Sequence, residues 1–372
     1  MELIEKLSSF NTFEELKSGL LEYFIYVKEW EYCPDLYLLT YDKEKSDFTI
    51  PFVRQCRGIV LEKKTNKIVC YTFNKGLDFS FDDYDLSDEN LKLNGVNWEN
   101  SRVERSVDGT QIRLFYYNDK WNFATTRCVD AYRAFWSSSS SFGQLFTEAA
   151  ETVGLDYERL DKNCCYSFVL CHPMNRIVKK YETPSLVHVL TRNMTTFEEV
   201  FDDVGVPHPE YFEGETPYSL LNRAYNDTTL EEGYIVFDRD SGLRMKIITR
   251  VYESVKLLLG NGNNMFYRFL ELRQSQLLND FYNFYPEWKA QFAQYELNIF
   301  NMIKDIHRHY MNRFIYKNGD APWYYRPHLY KLHGIFLSTH NKTTLNTILH
   351  YVNGMHPSQL CFLYNRAFSI VQ

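Results

Sequence analysis

A predicted β-hairpin near the middle of the first half constrains the fold more than any other feature. Asp108-Gly109 forms a turn signal, and an apolar-rich run from Ile112 to Tyr117 follows it. The turn Asn118-Asp119-Lys120 then leads into a second run, from Trp121 to Thr125. Runs of this kind, bounded by turn residues, are typical of paired antiparallel strands. Further strands are predicted at residues 36–41, 53–62, 67–73, 165–170, 176–181, 186–191, 234–238 and 243–248.

Helical patterns flank these strands and dominate the last third of the chain. The capping-box sequence that begins at Thr12 predicts a helix from Phe13 to about Trp30. Another helix is predicted at residues 142–153, and apolar residues recur at spacings of three and four from Pro286 to Phe314. We therefore predict an α+β fold, with antiparallel sheets flanked by helices in residues 1–252 and an all-α domain in residues 253–372.

Composition supports a folded chain but gives no uniform charge signal. Hydrophobic residues make up 45% and aromatic residues 17% of the chain, which is enough for a large core and excludes wholesale disorder. The formal net charge is −7. From Glu253 onward, 12 Lys and Arg stand against 7 Asp and Glu, whereas the rest of the chain has 29 against 41. Either acidic surface loops fill the first part, or a basic C-terminal module meets an anion.

The eight cysteines indicate buried, reduced thiols. No CxxC pair and no histidine spacing typical of zinc occurs, so we predict no metal site of this kind. This favours a reducing, intracellular and cytoplasmic compartment. The first ten residues carry Glu2 and Glu5 without a long apolar run, so we expect no signal peptide. No window reaches the length that a membrane span requires, and we expect no membrane partner.

Several short stretches carry the functional information of the sequence. In chain order they are Cys56-Arg57-Gly58-Ile59, Phe73-Asn74-Lys75, Ser106-Val107-Asp108-Gly109, a stretch from Phe168 that includes Asn175-Arg176-Ile177-Val178, Glu232-Gly233-Tyr234-Ile235-Val236 and Met245-Lys246-Ile247-Ile248. This ordered set resembles the phage-type RNA ligases, a family of the covalent nucleotidyltransferase superfamily of ligases and mRNA-capping enzymes. The resemblance covers roughly residues 35 to 260 and implies a nucleotidyltransferase core.

Three departures from the family pattern remove groups that the family's chemistry uses. The family reads Lys-x-Asp-Gly, and its lysine attacks the α-phosphate of ATP, but this chain has Ser106 at that position. The strand glutamate that binds the ribose or a divalent metal is replaced by Val169. A second lysine that neutralises phosphate charge is replaced by Ile248. A hydroxyl needs an adjacent base to act as a nucleophile, and Arg105 cannot serve as one.

The remaining polar positions of these motifs form a predicted nucleotide- or RNA-binding set. Its members are Arg57, Lys75, Asp108, Gly109, Arg176, Glu232 and Lys246. The resemblance implies that Arg57 and Lys246 hold phosphates as charge-assisted donors. Structural interpretations stay open, because Asp108-Gly109 also fits a simple hairpin turn, and Arg176 and Glu232 also fit buried partners that fix the strands. ATP and Mg²⁺ are implied as cofactors if the family's chemistry or binding is retained.

Three hypotheses about function follow. The first is a catalytically degenerate, RNA-ligase-like protein, a pseudoenzyme that binds a nucleotide or RNA ends without forming lysyl-AMP. The second is an active ATP-dependent RNA ligase with an altered active site. The third is a non-catalytic scaffold whose partner is another protein. Three separated losses favour the first hypothesis over a single substitution in an otherwise intact enzyme.

Overall fold

A computed structural model describes residues 2–136, 139–260, 262 and 264–368 of the chain. The chain divides into two compact units, Met1–Ser254 and Val255–Gln372. The first unit contains three antiparallel sheets with flanking helices, and the described part of the second unit is helical. The predicted α+β class is confirmed. No helix in the described residues is long and apolar enough to cross a membrane.

The first unit holds all the strands that the structure describes. They are β1 (Ile25–Trp30), β2 (Cys33–Tyr41), β3 (Ile59–Glu62), β4 (Ile68–Cys70), β5 (Ser101–Ser106), β6 (Thr110–Tyr117), β7 (Lys120–Ala124), β8 (Cys164–Cys171), β9 (Ser185–Asn193), β10 (Glu199–Val200), β11 (Tyr211–Phe212), β12 (Gly233–Asp238) and β13 (Arg244–Ile248). The first sheet has the order β1-β2-β3-β4, the second β10-β9-β8-β6-β7 and the third β11-β5-β12-β13. The α-helices of this part are α1 (Glu2–Ser8), α2 (Phe13–Leu21), α3 (Pro51–Gln55), α4 (Phe142–Val153) and α5 (Pro217–Asn226).

The first sheet shows where helical spacing misled the sequence prediction. The helix predicted from Phe13 to Trp30 is wrong in its second half, because α2 ends at Leu21 and β1 begins at Ile25. Phe24 adopts a φ of 55° between them, which turns the chain out of the helix. β1 then pairs antiparallel with β2, from Ile25 opposite Tyr41, so the sheet supplies the backbone hydrogen bonds that a longer helix would have made.

The single strand predicted for residues 53–62 is also wrong, because the chain first forms the short helix α3. Pro51 stands at the start of this helix, where its missing N–H costs no hydrogen bond. Gly58 then adopts a φ of 73°, and a Cβ at this position would collide with the backbone of Thr126. Only glycine fits such a close approach. Arg57 therefore lies in a bend between helix and strand.

The second sheet contains the predicted hairpin, which is confirmed as β6 and β7 with Tyr117 opposite Lys120. The helix predicted at residues 142–153 is confirmed as α4, which Ser141 and Gln144 cap reciprocally. Its apolar face packs on this sheet through Leu145, Phe146 and Ala149. On the other side of the sheet, Phe115 and Cys165 share a core with Leu38 and Val60 of the first sheet.

The third sheet separates an apolar face from a polar one. Val103, Tyr234, Val236, Met245 and Ile247 belong to the core that packs against α5. Side chains alternate between the two faces of a strand. The residues between them, among them Glu104, Ile235 and Lys246, therefore lie on the opposite face.

The second unit is a helical assembly. The helix α6 (Arg250–Leu259) crosses the boundary between the units. The other helices of the second unit are α7 (Met265–Gln274), α8 (Leu278–Phe284), α9 (Lys289–Tyr310), α10 (Arg326–Thr339), α11 (Leu345–Asn353) and α12 (Pro357–Ala367). The long amphipathic helix is confirmed as α9, which is preceded by a 3-10 turn at Pro286–Trp288 and followed by a π turn at Met311–Ile315. Phe292, Ile299, Ile303 and Ile306 are buried along it.

Candidate functional site

A cleft of about 580 Å³ lies where the second and third sheets of the first unit face each other. The third sheet contributes side chains from β5, β12 and β13, and the second contributes side chains from β6, β8 and β9. The segment from Phe73 to Asp78 and Arg57 also line it. Most sequence-predicted positions meet here, namely Arg57, Lys75, Ser106, Gly109, Val169, Glu232 and Lys246.

Strand register explains why polar groups collect on this face of the third sheet. Ile235 lies opposite Glu104 on β5 and opposite Lys246 on β13. Ser106 is two residues beyond Glu104, and Arg244 is two residues before Lys246, so all four side chains share the face that looks into the cleft. Arg244 and Glu104 were not among the predicted site residues. Their alternation with Lys246 and Ser106 is the sequence signal that would have identified them.

Ser106, Glu232 and Lys246 form a connected group at the centre of the cleft. The Ser106 hydroxyl donates to Glu232 Oε2 at 2.7 Å, and Lys246 Nζ lies 2.6 Å from Glu232 Oε1. Ser106 is 3% exposed and Glu232 is 5% exposed. Sequence reasoning considered only Arg105 as a neighbour of the hydroxyl, but Arg105 pairs with Glu210 at 3.1 Å. The acceptor of Ser106 is thus a carboxylate whose charge is already balanced by an ammonium.

Arg57 reaches the cleft from the bend before β3. Its Nη1 donates to Gln111 Oε1 at 3.3 Å, and Gln111 Nε2 donates to Ser167 Oγ at 2.7 Å. Burial lowers the pKa of Arg57, while nearby Tyr41 acts in the opposite direction. A guanidinium nevertheless stays charged at neutral pH. Gln111, which sequence reasoning missed, therefore helps to hold this cation at the cleft, together with Tyr41.

Lys75 and Arg244 extend the positive lining, but each has a carboxylate partner. Lys75 Nζ lies 2.6 Å from Asp78 Oδ1 and 5.1 Å from the centre of the Phe48 ring. Arg244 Nη2 lies 2.6 Å from Glu199 Oε2. These ion pairs hold the side chains in place, and an incoming anion would have to compete with the carboxylates for them.

Asp108 and Arg176 are the two candidates that do not line the cleft. The Asp108 carboxylate accepts hydrogen bonds from the backbone N–H groups of Val178 and Lys179 at 2.9 and 2.6 Å, and from the Tyr252 hydroxyl at 2.7 Å. Burial raises the pKa of Asp108, and these hydrogen bonds act against that rise. The strand predicted at residues 176–181 is wrong, because these residues form an irregular segment. The hydrogen bonds to Asp108 fix this segment in place. Arg176 Nε donates to Val178 O at 3.2 Å within it.

Gly109 and Val169 lie against each other on the cleft wall. A Cβ at Gly109 would lie 2.5 Å from the Leu170 carbonyl oxygen and 2.7 Å from Val169 Cγ1, so the two strands approach too closely there for any side chain. Ile248 stands opposite Gly233 at the end of β13 and is not part of the lining. Of the two other departures from the family pattern, only Val169 therefore lies on the cleft surface.

The carboxylates of the cleft do not fit a divalent-metal site. Asp78, Glu104 and Glu232 are its acidic lining residues. Each already contacts a cation, with Lys75, Arg102 and Lys246 as the partners at 2.6, 3.3 and 2.6 Å. In the described part of the chain, no group of three or more His, Cys, Asp and Glu could hold a metal ion. Mg²⁺ prefers several oxygen ligands in octahedral geometry, which these paired groups do not offer.

The lining does fit the chemistry of a nucleotide. Arg57 and Lys246 approach from different elements and present donors for phosphate oxygens. Tyr41, Phe48 and Ile235 add apolar and aromatic surface for a base.

Three curated proteins give the sequence comparison. No protein-family model matches the chain. It is 28% identical over 231 residues to a "Putative bifunctional polynucleotide kinase/RNA ligase" of Autographa californica nuclear polyhedrosis virus, covering 59% of this chain and 33% of that protein. It is 27% identical to an "Immediate-early protein ICP-46 homolog" of Invertebrate iridescent virus 3, covering 74% and 63%. An "RNA ligase" of Rhodothermus phage RM378 is 23% identical, with 68% of each covered. The chain thus spans a third of the first relative and under two thirds of the second.

Solved structures show lower similarity. A "Putative ATP-dependent DNA ligase from Aquifex aeolicus" matches with 16% identity and a TM-score of 0.41 over 80% of each chain. A Naegleria gruberi RNA ligase with ATP and Mn matches with 12% identity and a TM-score of 0.33, over 43% of this chain and 53% of that one. The named sequence relatives, together with the ordered motifs, support placing this chain in the ligase nucleotidyltransferase superfamily.

Proposed function

We propose that the cleft binds a nucleotide or the phosphorylated end of an RNA and does not form a lysyl-AMP. One observation carries this proposal. At the position where the resembled family has its nucleophilic lysine, Ser106 donates its hydrogen bond to Glu232, and Lys246 compensates the charge of that carboxylate. A serine offers no amine for a phosphoamide bond, and among the described residues no uncompensated base lies beside this hydroxyl.

The other lysines of the cleft do not replace the missing nucleophile. Lys75 and Lys246 are held by Asp78 and Glu232. An ammonium group in an ion pair has no lone pair with which to attack phosphorus. Lys43 is exposed on the loop after β2, where nothing in the described residues orients it. The proposal therefore assigns the cleft a binding role, within residues 1–252, and treats residues 253–372 as a separate helical domain.

The first test looks for covalent chemistry. The purified protein is incubated with ATP and Mg²⁺, and intact mass and label transfer from the α-phosphate are measured. We expect no adduct. A mass increase of one AMP on any lysine would overturn the non-catalytic part of the proposal and favour an active ligase with an altered site.

The second test measures binding. ATP and a 5′-phosphorylated RNA are titrated into the wild type and into Arg57→Ala/Lys246→Ala. Each charge-assisted contact contributes roughly 1.5–3 kcal/mol, so the double variant should bind at least about tenfold more weakly. Lys64→Ala/Lys67→Ala, on the exposed turn between β3 and β4, is the matched control, and thermal melts check folding. Equal affinity in both double variants would favour the protein-interaction scaffold.

A further inference from the structure

The last part of the sequence lacks acidic residues altogether. Asp320 is the last Asp or Glu, and the 52 residues from Ala321 onward contain four Lys and Arg and five His. The whole chain, in contrast, has a formal net charge of −7. A surface built from this segment lacks the carboxylates that would repel a polyanion or occupy its cations.

The described residues of this segment form α10, α11 and α12. Lys331 on α10 and Arg366 on α12 are exposed, and neither forms an ion pair with any described residue. Arg326 differs, because its Nη2 lies 2.6 Å from Asp320 Oδ2. Lys331 and Arg366 are therefore cations that can meet a phosphate without first leaving a carboxylate of the described residues.

Two large aromatic side chains stand beside Arg366. Trp323 is 59% exposed and Phe362 is 52% exposed, and their ring centres are 6.5 Å apart. The Arg366 guanidinium lies 5.7 Å from the Trp323 ring and 5.4 Å from the Phe362 ring. Exposed aromatic rings next to cations are the groups on which single-stranded nucleic acids stack their bases.

A pocket of about 290 Å³ adjoins Phe362. Its other lining residues are His328, Lys331, Tyr351, Ser358 and Gln359. His328 Nδ1 and the Tyr351 hydroxyl form a hydrogen bond of 2.8 Å. The lining thus combines a cation, hydroxyl and amide groups and an aromatic edge, and contains no carboxylate.

We propose that these groups, which we call the acid-free surface (Trp323, Lys331, Phe362, Arg366 and the adjoining pocket), bind single-stranded RNA. Bases stack on the two exposed rings, and Lys331 and Arg366 contact phosphates. Positive charge without carboxylates fits a polyanion, and exposed rings fit unpaired bases rather than a closed duplex. The residues of this site belong to the second unit and none of them lines the cleft, so the proposal goes beyond the function proposed above.

The test uses the full chain and a short fluorescent single-stranded RNA, with affinity measured over a range of salt concentrations. Lys331→Ala/Arg366→Ala should bind more weakly, and its plot of log affinity against log salt should be shallower by about 1.4, because each lost phosphate contact removes about 0.7 for a single strand. Trp323→Ala/Phe362→Ala should weaken binding by about fivefold or more with the salt slope unchanged. ATP binding in the cleft should stay as in the wild type for both.

The matched control repeats the same chemistry on α9. Lys304 Nζ lies 4.5 Å from the ring centre of Phe300, which is also exposed, so Phe300→Ala/Lys304→Ala removes a similar pair from outside the acid-free surface. We expect wild-type RNA affinity for this variant. The proposal is overturned if wild type binds no RNA, if the acid-free-surface variants bind like the control, or if polyglutamate competes as well as RNA. Loss of RNA binding only in Arg57→Ala/Lys246→Ala would also overturn it and leave the cleft proposal standing.

Discussion

The cleft and the acid-free surface both present cations and aromatic rings, but they differ in what the cations touch. In the cleft, Lys246 contacts Glu232 and Lys75 contacts Asp78, each at 2.6 Å. On the acid-free surface, Lys331 and Arg366 have no carboxylate partner among the described residues. Lys75 and Lys246 are thus held by carboxylates, whereas no carboxylate of the described residues compensates the charge of Lys331 or Arg366.

This difference predicts two kinds of anion recognition. A ligand of the cleft must exchange with a carboxylate or fit beside an existing ion pair, which favours a ligand of defined shape. A ligand of the acid-free surface only displaces water and counterions, so its affinity depends steeply on salt and little on sequence.

The acid-free surface needs a rigid scaffold, and the core side of α9 provides it. Ile303 is fully buried. Ile303→Ala should lower the free energy of unfolding by roughly 2–5 kcal/mol, through lost burial and the cavity left behind. Phe300→Ala, on the exposed side of the same helix, should change it by less than about 0.5 kcal/mol. Chemical denaturation of both variants checks this. Equally small effects would mean that the apolar residues of α9, such as Ile303, do not form a core.

Glu199 tests whether paired charges stabilise the first unit near the cleft. Burial disfavours the charged carboxylate, but Arg244 and Arg102 outweigh it and lower the pKa of Glu199. The folded state therefore binds fewer protons than the unfolded state. This contribution to stability is present above the ordinary glutamate pKa of about 4.3 and is lost as the pH falls through the lowered value.

Glu199→Gln should accordingly cost roughly 3 kcal/mol at neutral pH, because it leaves Arg244 without its charge partner. The cost should shrink as the pH falls through the titration of Glu199. Thermal melts of wild type and variant from neutral to acidic pH measure the difference. A difference that stays constant with pH would show that Glu199 is not the titrating group.

Local signals in the sequence predicted those parts of the fold that depend on few residues. The hairpin β6–β7 and the helix α4 carry their turn and capping residues within themselves. The helix predicted from Phe13 was too long because Tyr23 and Val27, four residues apart, fit a helical spacing. They fit the turn and the strand β1 that actually form equally well. What decided the outcome was the pairing of β1 with β2, a contact between segments.

The candidate site shows the same limit. Motif order pointed to Arg57, Lys75, Glu232 and Lys246, which the structure brings to one cleft. Motif order could not reveal that the Asp108 carboxylate accepts hydrogen bonds from Val178, 70 residues away, and from Tyr252, 144 residues away. Glu104 and Arg244 were missed because motif order was followed rather than the alternation that places them beside Ser106 and Lys246. Gln111 was missed because only the placement of β6 brings it to the cleft.

Glu232→Gln would convert the cleft toward the unpaired state of the acid-free surface. The amide keeps an acceptor for Ser106 but removes the charge that holds Lys246 at 2.6 Å. With Lys246 released and the net charge of the cleft raised by one, affinity for inorganic pyrophosphate should increase by about tenfold, the effect of one charge-assisted contact. Titration calorimetry at fixed salt measures it. Weaker binding would show that Glu232 itself contacts the ligand.

Ser106→Lys alone should not produce detectable lysyl-AMP. The new amine would replace a hydroxyl that is 3% exposed and lies 2.7 Å from Glu232 Oε2. There the carboxylate would favour its ammonium form beside Lys246, so only a small fraction of the amine would be able to attack phosphorus. Val169 would still stand where the family has a carboxylate, and Ile248 where it has a second lysine. One missing transition-state donor alone typically costs about 10²–10³-fold in rate.

The informative control restores all three positions. Ser106→Lys/Val169→Glu/Ile248→Lys supplies the nucleophile, the strand carboxylate and the second ammonium, and it alone should give detectable lysyl-AMP. The carboxylate introduced in place of Val169 would face a wall packed against Gly109, so a thermal melt must show that the variant folds. Label transfer from ATP is then compared between the single and the triple variant. Robust adenylylation by the single variant would show that the pairing of Glu232 with Lys246 does not silence an amine at this position, and the contrast drawn between the two surfaces would lose its chemical basis.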